Sequence, residues 1–365
     1  MKILLFIESI VAGGAERQMV VLAKLLKEHG CEVRIVTYFD IPFYAPYLID
    51  NCIEYECISK ATNKYSRIFR LFDYFKKFGP DVVISYLDTP NLFSIVLRFL
   101  GLKYKLIVSE RNTTQSLSFR TRLKFFLYRF SDHIVPNSLT QTQFIKLHFP
   151  ELVSKVKMIT NFIDTDFFCP SPQLFHEKEE LMIVVAGRFD WHKNVNRLIQ
   201  AIDQLVKRGL KISVNWYGDN YFRNGKPTTA SKVYFDAVAL TENLNLSKFI
   251  SFHEPVHNIK DLYRNADVFC LPSIYEGFPN VICEAMACGK PILASNICDN
   301  PLLVEDGING FLFNPLTSDS IANAIDKFYN LNFYEKQIMG LKSRKIAIEK
   351  FSKTAFVMSY LTLIN

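Results

Sequence analysis

The chain has 365 residues, of which 49% are hydrophobic and 22% are charged. This length exceeds what one hydrophobic core usually serves, and the composition excludes a disordered chain, so we expect two globular domains. The net charge is +7, and residues 1–172 hold most of the excess, with 22 Lys and Arg against 16 Asp and Glu. The two halves of the chain therefore face different partners.

The first apolar run, residues 2–7, predicts a buried strand, because it is shorter than the apolar region of a signal peptide. No apolar run approaches the roughly 18 residues that span a bilayer. None of the eight cysteines forms a Cys-x-x-Cys pair, which indicates reduced thiols and no metal site. We expect a cytoplasmic protein whose membrane contact, if it has one, is peripheral.

Short apolar runs alternate with helical patterns through the first half, which predicts a doubly wound parallel sheet. After the first strand, Gly13 and Gly14 precede a helix, and such glycines allow a backbone to approach an anion closely. Their spacing differs from the Gly-x-Gly-x-x-Gly of dinucleotide-binding loops, which weakens a dehydrogenase interpretation. The predicted strands are residues 2–7, 32–38, 81–86, 104–109, 132–136 and 156–159.

A basic aromatic stretch without acidic residues runs from Asn112 to Ser131. Its apolar members at helical spacing are Phe119, Leu123, Phe126 and Phe130, and its interleaved cations are Arg120, Arg122, Lys124 and Arg129. This pattern predicts a helix lying on an anionic membrane surface, and residues 66–77 repeat the mixture. The alternative is that the aromatic residues face the core and the cations are solvated. No nucleic-acid-binding module accompanies the cations, so we expect no nucleic-acid partner.

Two prolines and a charge cluster at residues 169–180 predict a linker. After it, short apolar runs again alternate with helical patterns. We predict a second Rossmann-like domain at 173–349, following a first at 1–172. A final helical stretch at roughly 333–363 has no strand after it, and we expect its end, roughly 350–365, to pack back on the first domain. The second-half strands are predicted at residues 181–187, 211–217, 248–252, 267–271 and 291–294.

The most informative segment is residues 275–291, which follows the strand predicted at 267–271. Ligands of parallel α/β sheets bind beyond the carboxyl ends of strands, where this loop must lie. Gly277 frees the backbone, and Pro279 suits the first turn of a helix because its missing N–H needs no partner there. Backbone amides from Phe278 to Val281 would then point outward as an anion site. Carboxylates flank this anion site, namely those of Glu276 before the helix and Glu284 inside it.

A second candidate loop, Gly187-Arg188-Phe189-Asp190-Trp191-His192-Lys193-Asn194, follows the strand at 181–187 and opens a helix. Fixed cations such as Arg188 and Lys193 stabilise the negative charge that gathers on a departing diphosphate. His192 between them is interpreted as a structural residue.

The Glu-x7-Glu segment with Gly-Phe-Pro-Asn inside it, followed by Ala-Met-Ala-Cys-Gly-Lys-Pro and the later Glu305-Asp-Gly-Ile-Asn-Gly, resembles the retaining glycosyltransferases of family 4, which have the GT-B fold. The resemblance implies two Rossmann-like domains facing each other across a cleft, with the donor held by the second. It implies that Glu276 lies near the donor sugar, Glu284 binds the ribose hydroxyls, and Arg188 and Lys193 bind the diphosphate. The catalytic candidates are Arg188, Lys193 and Glu276. The full set of donor-binding candidates is Gly13, Gly14, Gly187, Arg188, Lys193, Glu276, Gly277, Phe278, Pro279, Asn280 and Glu284.

Residues in the first half of the chain indicate what kind of molecule accepts the transferred sugar. Residues 84–89 and Ser109-Glu110 resemble family members that extend sugars on a polyprenyl-diphosphate carrier. Glu110 and Arg111 are candidate cleft residues, or else a structural ion pair; many relatives have a histidine near the position of Arg111, so a general base cannot be carried over.

The resemblance implies a UDP-sugar donor, a lipid-linked or oligosaccharide acceptor, and no metal or other cofactor. Together with the basic aromatic stretch, the lipid-linked acceptor predicts a peripheral location on the inner face of the cytoplasmic membrane. Two alternatives stay open: a nucleotide-sugar epimerase on the same fold, and an inactive peripheral membrane module.

Overall fold

A computed structural model describes residues 1–11, 13–58, 64–111, 114, 116–171, 179–219, 222–223, 226–227, 229–256 and 258–365. The chain forms two compact units. The first comprises Met1–Phe162 together with Lys353–Asn365, and the second comprises Ile163–Ser352. All eight cysteines lie in the described ranges and are free thiols.

The first unit is a six-stranded parallel sheet of order β3-β2-β1-β4-β5-β6 with helices on its faces. Its strands are β1 Lys2–Phe6, β2 Glu32–Thr37, β3 Glu54–Cys57, β4 Val82–Tyr86, β5 Lys105–Glu110 and β6 His133–Pro136. Its helices are α1 Gly14–Glu28, α2 Ala45–Asp50, α3 Lys64–Phe78, α4 Asp88–Phe99, α5 Phe119–Tyr128 and α6 Leu139–His148, with a 3₁₀ helix at Pro150–Lys155.

The second unit repeats this architecture with a parallel sheet of order β11-β8-β7-β12-β13-β14. Its strands are β7 Leu181–Ala186, β8 Ile212–Tyr217, β11 Ile250–His253, β12 Val268–Leu271, β13 Ile292–Ser295 and β14 Gly310–Phe313, and β9 Phe222–Arg223 and β10 Lys226–Pro227 form a separate antiparallel pair. Its helices are α7 Val195–Lys207, α8 Thr229–Asn243, α9 Ile259–Asn265, α10 Asn280–Ala287, α11 Asn300–Leu303, α12 Ser318–Tyr329 and α13 Phe333–Phe351.

The central strands are buried on both faces because each face is covered by helices. In β1, Ile3 and Leu5 join one hydrophobic core, whereas Leu4 and Phe6 join the core on the opposite face. The strands of the second unit divide in the same way between two cores. The predicted fold class, two doubly wound α/β units, is confirmed.

The last helix, α14 (Lys353–Ile364), belongs to the first unit. Phe356, Val357 and Tyr360 enter the core that α1 and the first sheet share. The Tyr360 hydroxyl lies 2.9 Å from that of Tyr86, at the end of β4. The predicted helical stretch at 333–363 is therefore two helices, because the backbone leaves the helical region at Ser352 (φ −63°, ψ 148°).

Some predicted boundaries differ from the structure. The units divide after Phe162 rather than at 172, because Ile163 and Phe168 pack into a core of the second unit. The predicted strand at 156–159 contacts β6 through a bridge from Val156 to Ile134 and through the Lys157 and Ile159 amides, which donate to Ile134 O at 2.9 Å and to Pro136 O at 3.1 Å, but it is not a full strand of the six-stranded sheet. The strand β3 was not predicted; it is an edge strand of which only alternate side chains are half-buried.

Candidate active site

Two loops at the carboxyl ends of β7 and β12 form the centre of the candidate site. The first contains the 3₁₀ turn Trp191–Lys193, and the second leads into α10. Lys193 Nζ lies 2.5 Å from Glu276 Oε1, although 83 residues separate them in the chain. The two side chains are only 13% and 12% exposed. This mostly buried ion pair lies at the carboxyl ends of the central strands, where doubly wound proteins bind their ligands.

Hydrogen bonds fasten the two loops to each other. The Ile274 amide donates to His192 O at 2.7 Å, and Asn194 Nδ2 donates to Pro272 O at 2.9 Å. Asn194 adopts the left-handed conformation (φ 64°), which asparagine tolerates better than most residues. The Ser273 hydroxyl, which is buried, donates to Glu276 Oε1 at 2.5 Å. The Glu276 carboxylate is therefore held from both loops, and sequence reasoning did not identify Ser273.

Close backbone packing surrounds the predicted donor residue Gly187. Trp216 Nε1 donates to Gly187 O at 2.8 Å, and the Gly187 amide donates to Tyr217 O at 2.9 Å. A Cβ at Gly218 would overlap the Gly187 carbonyl, so only glycine fits there. The aliphatic part of Lys193 lies beside Gly187, with Cδ 3.4 Å from where a Cβ would stand. The lysine stem therefore passes within van der Waals distance of the Gly187 position on its way to Glu276.

Arg188 follows Gly187 in the same loop, and its side chain is exposed. Its carbonyl accepts a hydrogen bond from the Asp190 amide at 2.9 Å. The structure therefore brings Lys193 and Glu276 together and leaves Arg188 at the solvent-facing surface of the loop.

The start of α10 differs from the prediction. Pro279 is the residue before the first helical residue, rather than part of the first turn, and the Asn280 amide donates to Phe278 O at 3.0 Å. That amide consequently does not point outward. The Phe278 ring is buried against Phe351, with centroids 5.7 Å apart, so its side chain belongs to the core. Gly277 lies half-buried between Glu276 and this core residue.

Glu284 is buried in the second turn of α10. The Tyr263 hydroxyl donates to Glu284 Oε2 at 3.2 Å. A buried carboxylate needs such donors, because desolvation of its charge would otherwise be costly.

His192 is a packed residue. Its ring stacks on that of Tyr275, with centroids 4.7 Å apart and planes inclined by 25°. Burial, and then the charge of Lys193, lower the pKa of His192. A neutral, stacked imidazole agrees with the structural role predicted for it.

Gly13 and Gly14 lie at the start of α1 in the first unit. Gly13 is the N-cap residue, in extended conformation, so its backbone angles do not require glycine. A Cβ on Gly13 would overlap the Glu16 carboxyl group, but this group is the far end of a flexible side chain and can move aside. Burial raises the pKa of Glu16, and a hydrogen bond to its own backbone opposes the rise. Glu16, a carboxylate in the first turn of a helix that begins at glycines, was not predicted from the sequence.

Glu110 is fully buried at the end of β5 and ion-paired within the first unit. Its Oε2 lies 2.8 Å from Lys124 Nζ, and its Oε1 accepts a 2.6 Å hydrogen bond from Tyr128. Lys124 also lies 3.2 Å from Asp88. Burial raises the pKa of Glu110, and the charge of Lys124 opposes the rise. Lys124 therefore serves an internal network, which corrects its prediction as a membrane-facing cation.

Arg111, next in the chain, belongs to a different network. Its guanidinium lies over the Tyr86 ring, 4.0 Å from the centroid, and donates to Asn161 Oδ1 at 2.8 Å and to the Tyr360 hydroxyl at 2.7 Å. Arg111 therefore fastens α14 to the first sheet. The alternative ion pair between Glu110 and Arg111 does not form, because each has other partners.

Comparison with known proteins agrees with this architecture. Residues 12–167 match the family described as Glycosyltransferase Family 4, and residues 171–346 match Glycosyl transferases group 1. The chain is a family 4 glycosyltransferase. Its GT-B fold is shared with the crystal structure of Anabaena Alr3699/HepE in complex with UDP, at a TM-score of 0.85, 20% identity, and 99% coverage of each chain.

Two curated relatives of this glycosyltransferase come from Campylobacter jejuni. One is an alpha-1,4-N-acetyl-D-galactosaminyltransferase named for an acceptor of two GalNAc residues and diNAcBac on PP-undecaprenol, 28% identical over 353 residues, covering 93% of this chain and 92% of the relative. The other is a 4-alpha-N-acetylgalactosaminyltransferase named for an acceptor on diphospho-undecaprenol, 26% identical over 312 residues, covering 81% and 80%.

The glycosyltransferase leaves one face of α5 in solvent. Its exposed apolar side chains are Phe119, Leu123, Phe126 and Phe130, and Phe99 at the end of α4 packs edge-on against Phe130 at 4.9 Å. Arg120, Arg122 and Arg129 are exposed beside them. The inward side of α5 buries Phe125 and Tyr128 instead. We call this exposed set of three arginines and five apolar residues the α5 face.

The second basic aromatic stretch, residues 66–77, forms a core helix. Leu71 and Phe75 of α3 are fully buried, and among its aromatic residues Phe69 is prominently exposed. Residues 66–77 therefore do not repeat the exposed apolar face of α5. None of the helices in the described ranges has the length and apolarity needed to cross a membrane.

Proposed function

We propose that this glycosyltransferase moves a hexose or N-acetylhexosamine from a UDP-sugar to a glycan carried on polyprenyl diphosphate, with retention of the anomeric configuration. The observation that carries the proposal is the buried Lys193–Glu276 pair at the carboxyl edge of the second sheet. The acceptor class follows the names of the two Campylobacter relatives. Such an enzyme would act in the synthesis of surface polysaccharides or glycoprotein glycans.

Each charged side chain then has a chemical task. Glu276 accepts hydrogen bonds from donor-sugar hydroxyls, and Glu284 binds the ribose. Lys193, with Arg188, stabilises the diphosphate as its bond to the sugar breaks. The acceptor oxygen forms the new bond to the anomeric carbon, and its proton passes to the released diphosphate. We assign no protein nucleophile.

The reaction requires no metal in this proposal, because the lysine and arginine supply the positive charge. Among the described residues, no three His, Cys, Asp or Glu side chains are grouped so as to hold a metal ion. Membership of a transferase family argues against the epimerase alternative, and the intact Lys193–Glu276 pair argues against an inactive module.

The test is a panel of UDP- and GDP-sugars incubated with the purified enzyme and a polyprenyl-diphosphate-linked glycan, with and without EDTA. Transfer from one UDP-sugar, retention observed in the product by NMR, and insensitivity to EDTA are expected. Glu276→Gln should lose transfer, whereas Glu242→Gln, a matched change at an exposed position of α8, should keep it. If the enzyme binds no nucleotide-sugar in the panel, the proposal is wrong.

We further propose that the α5 face binds the anionic inner surface of the cytoplasmic membrane. The arrangement of exposed apolar residues flanked by arginines is typical of interfacial helices. The internal ion pair of Lys124 with Glu110 fixes α5 to the sheet with its apolar side outward. A peripheral location would bring the enzyme to a lipid-linked acceptor.

Vesicle sedimentation tests this membrane contact. Each arginine near an anionic leaflet contributes about 1 kcal/mol, so Arg120→Glu with Arg122→Glu should weaken binding by at least about 30-fold. The control is Lys76→Glu with Lys77→Glu, the same charge change at the exposed end of α3. Equal losses in both double variants would mean that net charge, rather than the α5 face, determines binding.

A further inference from the structure

One of the two tryptophans of this chain is exposed beside the candidate site. Trp191 is 62% exposed, whereas Trp216 is 1% exposed. A single exposed aromatic residue is common on protein surfaces and has no functional meaning by itself. The surroundings of Trp191 are therefore decisive.

Trp191 begins a turn that several contacts hold in place. Its ring lies 5.7 Å from the Tyr275 ring, which in turn stacks on His192. Immediately after the turn, Asn194 Nδ2 donates to two carbonyls, Pro272 O at 2.9 Å and Pro315 O at 2.8 Å. An exposed ring that is fixed in this way loses little conformational entropy when a ligand covers it.

The position of the ring is also informative. Trp191 precedes Lys193 by two residues, and Tyr275 immediately precedes Glu276, the partner of Lys193 at 2.5 Å. The two neighbouring rings therefore belong to the same two loops as the ion pair that we assign to the donor sugar and diphosphate. Aromatic faces carry negative charge density, and the C–H bonds on one face of a pyranose ring are weakly positive donors, so the two surfaces attract each other.

We propose that Trp191, supported by Tyr275 and His192, is a platform on which the apolar face of a pyranose ring stacks beside Glu276. The platform rests on the proposed function, because its ligand is a sugar of the transfer reaction. Either the donor sugar or the terminal sugar of the acceptor presents this chemistry, and the experiment distinguishes them.

Fluorescence gives a direct measurement, because a soluble quencher such as acrylamide reaches Trp191 and not the buried Trp216. UDP alone should leave Trp191 accessible, and a sugar-bearing ligand should protect it. Protection by the UDP-sugar identifies the donor sugar, and protection by the glycan acceptor identifies the acceptor. Equal protection by UDP, or protection by neither sugar ligand, overturns the platform. In Trp191→Phe the quenchable emission should disappear, which verifies the assignment.

Kinetics supply an independent test. Trp191→Ala should raise the KM of the stacked sugar substrate by roughly tenfold, and Trp191→Phe should restore most of the loss, because a phenyl ring also stacks. Tyr334→Ala is the matched control, since Tyr334 is 69% exposed on α13 and lies outside the site. If Trp191→Ala keeps wild-type KM values for both substrates, the platform is wrong but the proposed function stands. Failure of the wild-type enzyme to bind any nucleotide-sugar overturns the proposed function as well.

Discussion

Replacement of Lys193 by methionine separates the structural contribution of the Lys193–Glu276 pair from its catalytic one. Methionine keeps the aliphatic volume beside Gly187 and removes the charge that faces Glu276 at 2.5 Å. The carboxylate would remain nearly buried, with the Ser273 hydroxyl still donating to it.

The magnitude follows from this burial. Removing one partner of a buried ion pair usually costs about 3–5 kcal/mol, and we expect about 3 kcal/mol because Ser273 remains. For a unit of this size the loss corresponds to a decrease in Tm of roughly 6–12 °C. Turnover should fall more than about 100-fold, since a cation that stabilises transition-state charge is absent.

The double variant Lys193→Met/Glu276→Gln distinguishes the two effects. A neutral amide no longer leaves a charge unpaired, so thermal unfolding should return most of the way to that of the wild type. Transfer activity should remain low, because neither charged group is restored. Near-normal turnover of Lys193→Met would exclude the lysine from the chemistry. A double variant as unstable as the single one would show that the stability loss does not come from the unpaired carboxylate.

Three further substitutions test the second unit. Glu284→Gln should weaken nucleotide binding measured by calorimetry, because an amide accepts ribose hydrogen bonds less strongly than a carboxylate; unchanged affinity would contradict the ribose assignment. Gly218→Ala should cost about 3 kcal/mol by overlap with the Gly187 carbonyl. Gly209→Ala, where φ is +86° but no atom lies within 4 Å, should cost only about 1 kcal/mol in the same unfolding assay. Equal losses would show that space at Gly218 is not limiting.

Both sheets could be predicted from the sequence because their central strands are continuous apolar runs. β3 could not, because Glu54-Tyr55-Glu56-Cys57 lacks such a run and pairs only at the sheet edge. The residues at 156–159 have the composition of a strand, and they hydrogen-bond to the end of β6, but the contact is too short to add a full strand to the sheet. Local composition predicts burial, whereas pairing depends on neighbours that are distant in the chain.

The candidate site shows the same limit. Its two loops were recognisable in the sequence as separate motifs. The direct contact between Lys193 and Glu276 could not be predicted, because it depends on β7 and β12 being neighbours in the sheet. The partner of Lys124 could not be predicted, because a helical pattern shows which residues share a face and not which buried acid lies opposite. Lys124 was thus predicted as a surface cation, and Glu110 neutralises it.

The placement of α14 has a consequence for biosynthesis. The hydroxyls of Tyr86 and Tyr360 meet at 2.9 Å across 274 residues of sequence, and Phe356 and Val357 complete the core against α1. Domains usually fold in the order in which the ribosome releases them. The first unit lacks part of its core until the residues after Ser352 have been synthesised. By then all residues of the second unit already exist. We therefore expect the second unit to fold first, and the first unit to be the substrate of chaperones and proteases in the nascent chain.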